Sequence, residues 1–499
     1  MKKRVVTVAG LSIALAFSMV GCSGTTTTTS SSSSSASSAV TAQADLDLSG
    51  NRLTDSDITT SSSYENSADG EHAITADGET AEYKNFTVNK IGEADGDEAD
   101  FYGENAAVFA TNSATLNLSD AIVTTNGKHA NGVFSYGTGT TVNISHSIIR
   151  TTGNCSGGIM TTGGGTMNAT DVTAETTGNS SAAIRSDRGG GTVTVNGGYF
   201  TTAGTGSPVV YSTADITVND AYMASTASQG VVVEGKNSVT LNGCQLIADN
   251  NKKNSDKSDT YQAVMIYQSM SGDASVGTSS FTMNGGTLTN ANGDIFFVNN
   301  TACTISLSGA TITNNDATGV FLRAEAAGWG STGSNGGKIN LNATGQVING
   351  DMLVDSVSTL NLSLASGSTF TGAINSTGAN GNVYVELDAN STWTLTADSY
   401  VSSLTCDAGS INLNGHKLYV DGKEYTASSA STGTAFEIVS SSSTSGNGGG
   451  AGGEGGEAPD KPGEGGGEGG QGGDVPDKPD GEGDGAGGGD GATPPSKPE

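Results

Sequence analysis

Seven residues in the second half of the chain combine ring, guanidinium and carboxylate chemistry: Tyr261, Tyr267, Phe296, Phe321, Arg323, Glu325 and Trp329. Trp329 stands in the Gly-rich run AAGWGSTGSNGG. Aromatic faces stack on the C–H surfaces of sugars, while a neighbouring Arg and carboxylate take hydroxyls or a uronate. This set therefore points to glycan binding, with Trp329 tucked under its own loop as the alternative. In GEADGDEADFYG, residues Glu93, Asp95, Asp97, Glu98 and Asp100 cluster oxygens of the kind calcium takes, without the full EF-hand ladder. Asp95, Asp97 and Asp100 are the calcium candidates, against a solvated acidic turn.

Other chemistries find little support. His72, His129, His146 and His416 are scattered without a HExxH pattern, and the five cysteines show no CxxC pairing. No zinc site, no Ser/His/Asp triad and no catalytic residue is therefore expected, and no cofactor beyond that possible calcium. A formal net charge of -30 argues against nucleic acid and anionic membrane as partners.

The elements that must position these residues are announced by one recurring phrase. TLNLSDA, TVNISHS, TMNATDV and TVTVNGG begin at 115, 141, 166 and 192, and the series runs on through SVTLNGC at 238 to SINLNGH at 410. Such a period is the mark of a repeat architecture. The second and fourth letters are apolar and the third polar, which is the alternation of a half-buried strand. Asn or Ser in the fifth place, followed by Gly or Asp, suits a tight corner in left-handed backbone. Two more short strands complete each period of about 25 residues. An all-β, single-stranded parallel β-helix with three strands per coil follows. Cys244 falls in a small inward slot beside Ala221 and Gly286, as packing.

In the first strand of each coil, Val108, Val133, Ile159, Ile184, Val209, Val231, Val264, Ile295 and Val320 are expected to face inward. The residues after them then face out: Phe109, Phe134, Met160, Arg185, Val210, Val232, Met265, Phe296 and Phe321. An apolar stripe of that length needs a partner or a cover, the latter from segment 44–105 or a loop. Insertions at 249–261, 268–279 and 324–337 should flank one patch on this face, the usual position of a binding rim.

The chain starts MKKRVV, continues through an apolar stretch and reaches Met19-Val20-Gly21-Cys22. This start resembles a bacterial lipoprotein signal, which implies lipidation of Cys22 after removal of 1–21; Met19 departs from the usual Leu. Residues 22–43 read as a Ser/Thr-rich tether, 44–439 as the β-helix with its N-terminal cap, and 440–499 as a disordered Gly-rich acidic tail. Over 85–421 the pattern resembles the right-handed β-helix proteins of the pectate-lyase-like superfamily. The whole chain resembles adhesin-like surface lipoproteins of Gram-positive bacteria. That resemblance implies a lipid-anchored protein on the extracellular face of the membrane, with an extracellular glycan or surface protein as partner. A calcium-dependent lyase would need carboxylates facing a basic Arg that removes the proton alpha to a uronate carboxyl group. Around Arg185 and Arg188 only Asp187 supplies a carboxylate, so a non-catalytic binder is favoured over the lyase, with a ligand-free spacer as a third reading.

Overall fold

The computed structural model describes residues 46–434. The expectations for the signal segment 1–21, Cys22, the 22–43 tether and the 440–499 tail lie outside the described residues.

The described chain is nearly all-β and arranged in parallel sheets of 19 and 11 strands, with smaller sheets of four and three. Alternation in the recurring phrase does what it must: Val193 and Val195 are 1% and 0% exposed, and Thr194 between them is half-buried. Each phrase pairs in parallel with the phrase one repeat away. Val193 lies between Met167 and Ile216, and the column runs on through Val239, Phe281, Ile305, Leu341 and Leu362. The corner after each phrase is left-handed at one fixed position, taken by Asp120, His146, Asp171, Gly197, Asp220 and Gly243. Short polar side chains or none tolerate that backbone.

Two phrases lie out of line. Thr304 pairs with Asn340, so KINLNAT and TLNLSLA are shifted by two residues from their apparent alignment. SINLNGH belongs to another sheet, where Ile411 pairs with Trp393.

A single interior cluster runs from Ile74 to Leu418. Its aromatic content exceeds what the composition suggests, because Phe281, Phe296 and Phe321 stack through the interior at ring-centroid distances of 5.6 and 5.5 Å. Cys244 is fully buried, as expected of a packing residue. Residues 48–57 lie along the strands that follow the phrases. Leu48 N donates to Gln245 Oε1 at 2.7 Å, Leu53 N to Thr173 Oγ1 at 2.8 Å, and Arg150 Nη2 to Asp55 Oδ1 at 2.6 Å. At the other end, Lys423–Glu424 pairs antiparallel with Leu418–Val420.

Candidate functional site

The 11-stranded sheet gathers the first strands of the repeats, and its register decides which residues face out. That outward column reads Phe109, Phe134, Met160, Arg185, Tyr211, Val232, Met265, Phe297 and Arg323. The sequence-based column is therefore corrected at three places. Val210 pairs with Ile184 and Val231, while Phe296 pairs with Val264 and Leu322, and both point into the interior. Phe321 is 1% exposed within the same interior cluster. The cause is that Ile295-Phe296-Phe297-Val298 is apolar throughout and fully buried on both faces, so it carries no period-two signal.

Both faces are buried because the outward stripe is covered twice. The helix Asp97–Phe101 and the residues after it lie over the N-terminal part, where Ala106, Phe134 and Met160 form a second cluster. Thr162 Oγ1 donates to Phe101 O at 2.6 Å, and the Arg188 guanidinium sits 3.7 Å from the centroid of the Phe101 ring. Toward the C-terminal part, the three insertions converge as expected. Gly328 N donates to Lys257 O at 2.7 Å, and Asn300 Nδ2 to Gln268 O at 2.8 Å. Beneath them Trp329 packs with Val232, Met265, Tyr267 and Phe297 in a third cluster.

Between the two covers lies a cleft of about 130 Å³. Arg185 and Tyr211 form part of its floor; Asp100 and Cys155 border one side, and Tyr261, Tyr267 and Trp329 the other. Gln229, Gln262, Asn250 and Lys253 add amide and ammonium groups to its lining. Its charges are largely paired. Arg185 Nη2 meets Asp100 Oδ1 at 3.0 Å and Asp187 Oδ2 at 2.9 Å. Burial opposes the Arg185 charge, but those two carboxylates more than offset it and hold the guanidinium firmly protonated. Arg188 bridges Asp97 at 3.0 Å and Asp273 at 2.9 Å. Behind the cleft, Tyr211 and Tyr267 both donate to Glu234 Oε2, the latter at 2.9 Å. Burial pushes the Glu234 carboxyl above its usual range and both phenols well above theirs.

The glycan candidates are thus only partly brought together. Tyr261 is 36% exposed at the cleft rim, and Tyr267 and Trp329 lie within 5.2 Å of each other, ring centroid to centroid, each almost fully buried. Trp329 accordingly tucks under its own loop while one edge borders the cleft. Arg323 turns to Asp294 at 2.6 Å and Glu325 at 3.5 Å, and neither Arg323 nor Glu325 lines the cleft. Phe296 and Phe321 are interior. The calcium candidates separate: Asp95 pairs with Lys128, Asp97 with Arg188 and Asp100 with Arg185. Residues not singled out from the sequence also build the site, namely Tyr211, Glu234, Gln229, His129 and Cys155. A signal existed for the last two, since His129 and Cys155 share one corner position of adjacent repeats.

Compared with known proteins, the chain matches no family model, no curated protein and no solved structure. Among the described residues no helix is long and apolar enough to cross a membrane.

Proposed function

We propose that the described residues wind as a single-stranded right-handed parallel β-helix, and that the protein is a lipid-anchored, adhesin-like surface protein that binds an extracellular glycan without catalysis. The winding is supported by the unbroken parallel register from Ile74 to Val354 in one sheet, since parallel crossovers are right-handed in nearly all cases. The hand and the outside location also rest on the resemblance to pectate-lyase-like β-helices and to Gram-positive surface lipoproteins, including lipidation of Cys22.

The observation that carries the binding role is the cleft between the two covers. Its wall offers the half-open ring of Tyr261, the edge of Trp329 and a set of amides, a combination suited to a sugar's mixed apolar and hydroxyl surface. Arg185 is engaged by both Asp100 and Asp187, which supports binding over a lyase role that needs a free basic side chain. A glycan array probed with the wild type and with Tyr261→Ala tests the reading. Retention of a defined glycan by the wild type, weakened about tenfold in the variant, is the expected outcome. No retained glycan leaves the spacer reading. Unsaturated products, seen in the ultraviolet after incubation with uronate polymers, would favour the lyase.

A further inference from the structure

Three side chains that the glycan reading leaves unused converge under the helix Asp97–Phe101. His129 and Cys155 occupy the same left-handed corner of successive repeats, with φ of 54° and 55°. The His129 N–H donates to Asn154 O at 2.9 Å and the Cys155 N–H to Asn179 O at 2.8 Å, so the two residues stand one repeat apart in one column. The helix brings Asp100 over them, with its Oδ1 3.6 Å from His129 Nδ1. A carboxylate oxygen, an imidazole nitrogen and a cysteine sulfur then lie within 4.8 Å of one another. The His129 side chain is 7% exposed, and its Nδ1 has no hydrogen-bond partner among the described residues. A buried ring nitrogen without a partner is costly, and coordination is one way to satisfy it.

We propose that Asp100, His129 and Cys155 form a binding site for a divalent transition-metal ion of the zinc class, with a remaining coordination position open to the cleft. The donor set selects the ion. Sulfur and imidazole suit zinc and its neighbours, whereas calcium and magnesium take oxygen. Zinc bond lengths in tetrahedral geometry place ligand atoms about 3.3–3.8 Å apart, and the 3.6 Å between Asp100 and His129 already matches. The surroundings supply an outer shell. Arg185 donates to Asp100 Oδ1 and, at 3.4 Å, to the backbone carbonyl of Cys155, while Asp187 fixes Arg185 in turn. With His129 neutral and Cys155 a thiol, Asp100 and Asp187 outweigh Arg185 by one negative charge. A divalent ion that displaces the thiol proton brings that group to neutrality. Asp100 and Cys155 both border the cleft, which gives the open position its access.

Cobalt(II) titrated into the full chain under reducing conditions tests the site, because a thiolate ligand adds a near-ultraviolet charge-transfer band to the visible d–d absorption. The expected result is one equivalent bound with that band, displaced by one equivalent of zinc and untouched by excess calcium. Cys155→Ser should abolish the band, and the fold should survive it, because Ser180 occupies the same corner one repeat later. Cys155→Ala, read the same way, guards against a hydroxyl ligand. His129→Ala should weaken zinc at least about tenfold in a chelator competition, whereas His146→Ala, which faces Asp120 elsewhere, should not. Substoichiometric cobalt, or a thiolate band that persists in Cys155→Ser, overturns the proposal.

Discussion

Arg185 and Asp100 form a 3.0 Å ion pair that joins the floor of the cleft to the helix lying over it. Asp187, with no side-chain exposure, holds the same guanidinium at 2.9 Å. Removing one member of a buried charged group strands the others away from water, which costs several kcal/mol. Arg185→Met should therefore lower the free energy that holds residues 97–106 down by about 3 kcal/mol, on the order of a hundredfold faster amide exchange there. Hydrogen exchange read by mass spectrometry checks it. Unchanged protection over 97–106 would assign the anchoring to Arg188 and Phe101 instead.

Glu234 makes stability depend on pH. Its Oε2 accepts from Tyr211 and Tyr267, and its Oε1 has no hydrogen-bond partner among the described residues. Burial raises the carboxyl pKa, the hydroxyls of Ser269, Tyr211 and Tyr267 pull it back in part, and the nearby Asp187 charge adds to the rise. A carboxyl raised in the folded state stabilises fully below its ordinary value of 4.5, and that contribution is lost as pH climbs through the folded value. Glu234→Gln keeps the shape and stays neutral. Its melting temperature should match the wild type at about pH 4 and exceed it by a growing margin toward about pH 7. Calorimetry showing the margin shrink with rising pH would make the anion the favoured form.

The recurring phrase was legible because one of its faces is interior and the other is not, so Val193-Thr194-Val195 carries its own register. The first strands lack that contrast. Loops and the helix Asp97–Phe101 bury their outer face, and Val209-Val210 or Ile295-Phe296-Phe297-Val298 then reads equally well in either phase. Phe297 and Arg323 consequently stand where Phe296 and Phe321 were expected. The convergence of the three insertions could be read, because extra residues between strands of fixed register emerge at the same corners. The partnership of Arg185 with Asp100 could not, since no period dictates where a short helix inserted outside the repeats will lie.

Backbone contact between repeats makes certain glycines irreplaceable. A Cβ on Gly178 would lie 1.9 Å from the carbonyl oxygen of Gly153, well inside any tolerated contact, and that neighbour cannot rotate away. Gly178→Ala should cost about 3 kcal/mol or more through forced separation of two repeats. Gly50, around which nothing lies within 4 Å, provides the contrast, and Gly50→Ala should leave the denaturation midpoint unchanged. Equal midpoints for the two variants would mean that the repeats can slide apart at little cost.

The corner amides form a ladder whose polarity can be tested. Asn219 Nδ2 donates to Asn196 Oδ1 at 2.9 Å, and its own Oδ1 accepts from Asn242 Nδ2 at 2.8 Å. Asn284 extends the series onto Asn242 at 2.8 Å. Each side chain is thus a donor to one repeat and an acceptor from the next, in half-open surroundings where a hydrogen bond contributes about 1 kcal/mol. Asn219→Ala should cost about 1–2 kcal/mol. Asn219→Asp retains the acceptor for Asn242 but sets a carboxylate against Asn196 Oδ1 and the Val195 carbonyl, which Asn219 Nδ2 otherwise satisfies. It should therefore be the less stable variant at about pH 7 and recover toward about pH 3, as protonation restores a donor. Thermal melts of both variants at the two pH values decide it: an Asp variant more stable than the Ala variant at neutral pH would show that the bond from Asn242 alone sustains the ladder.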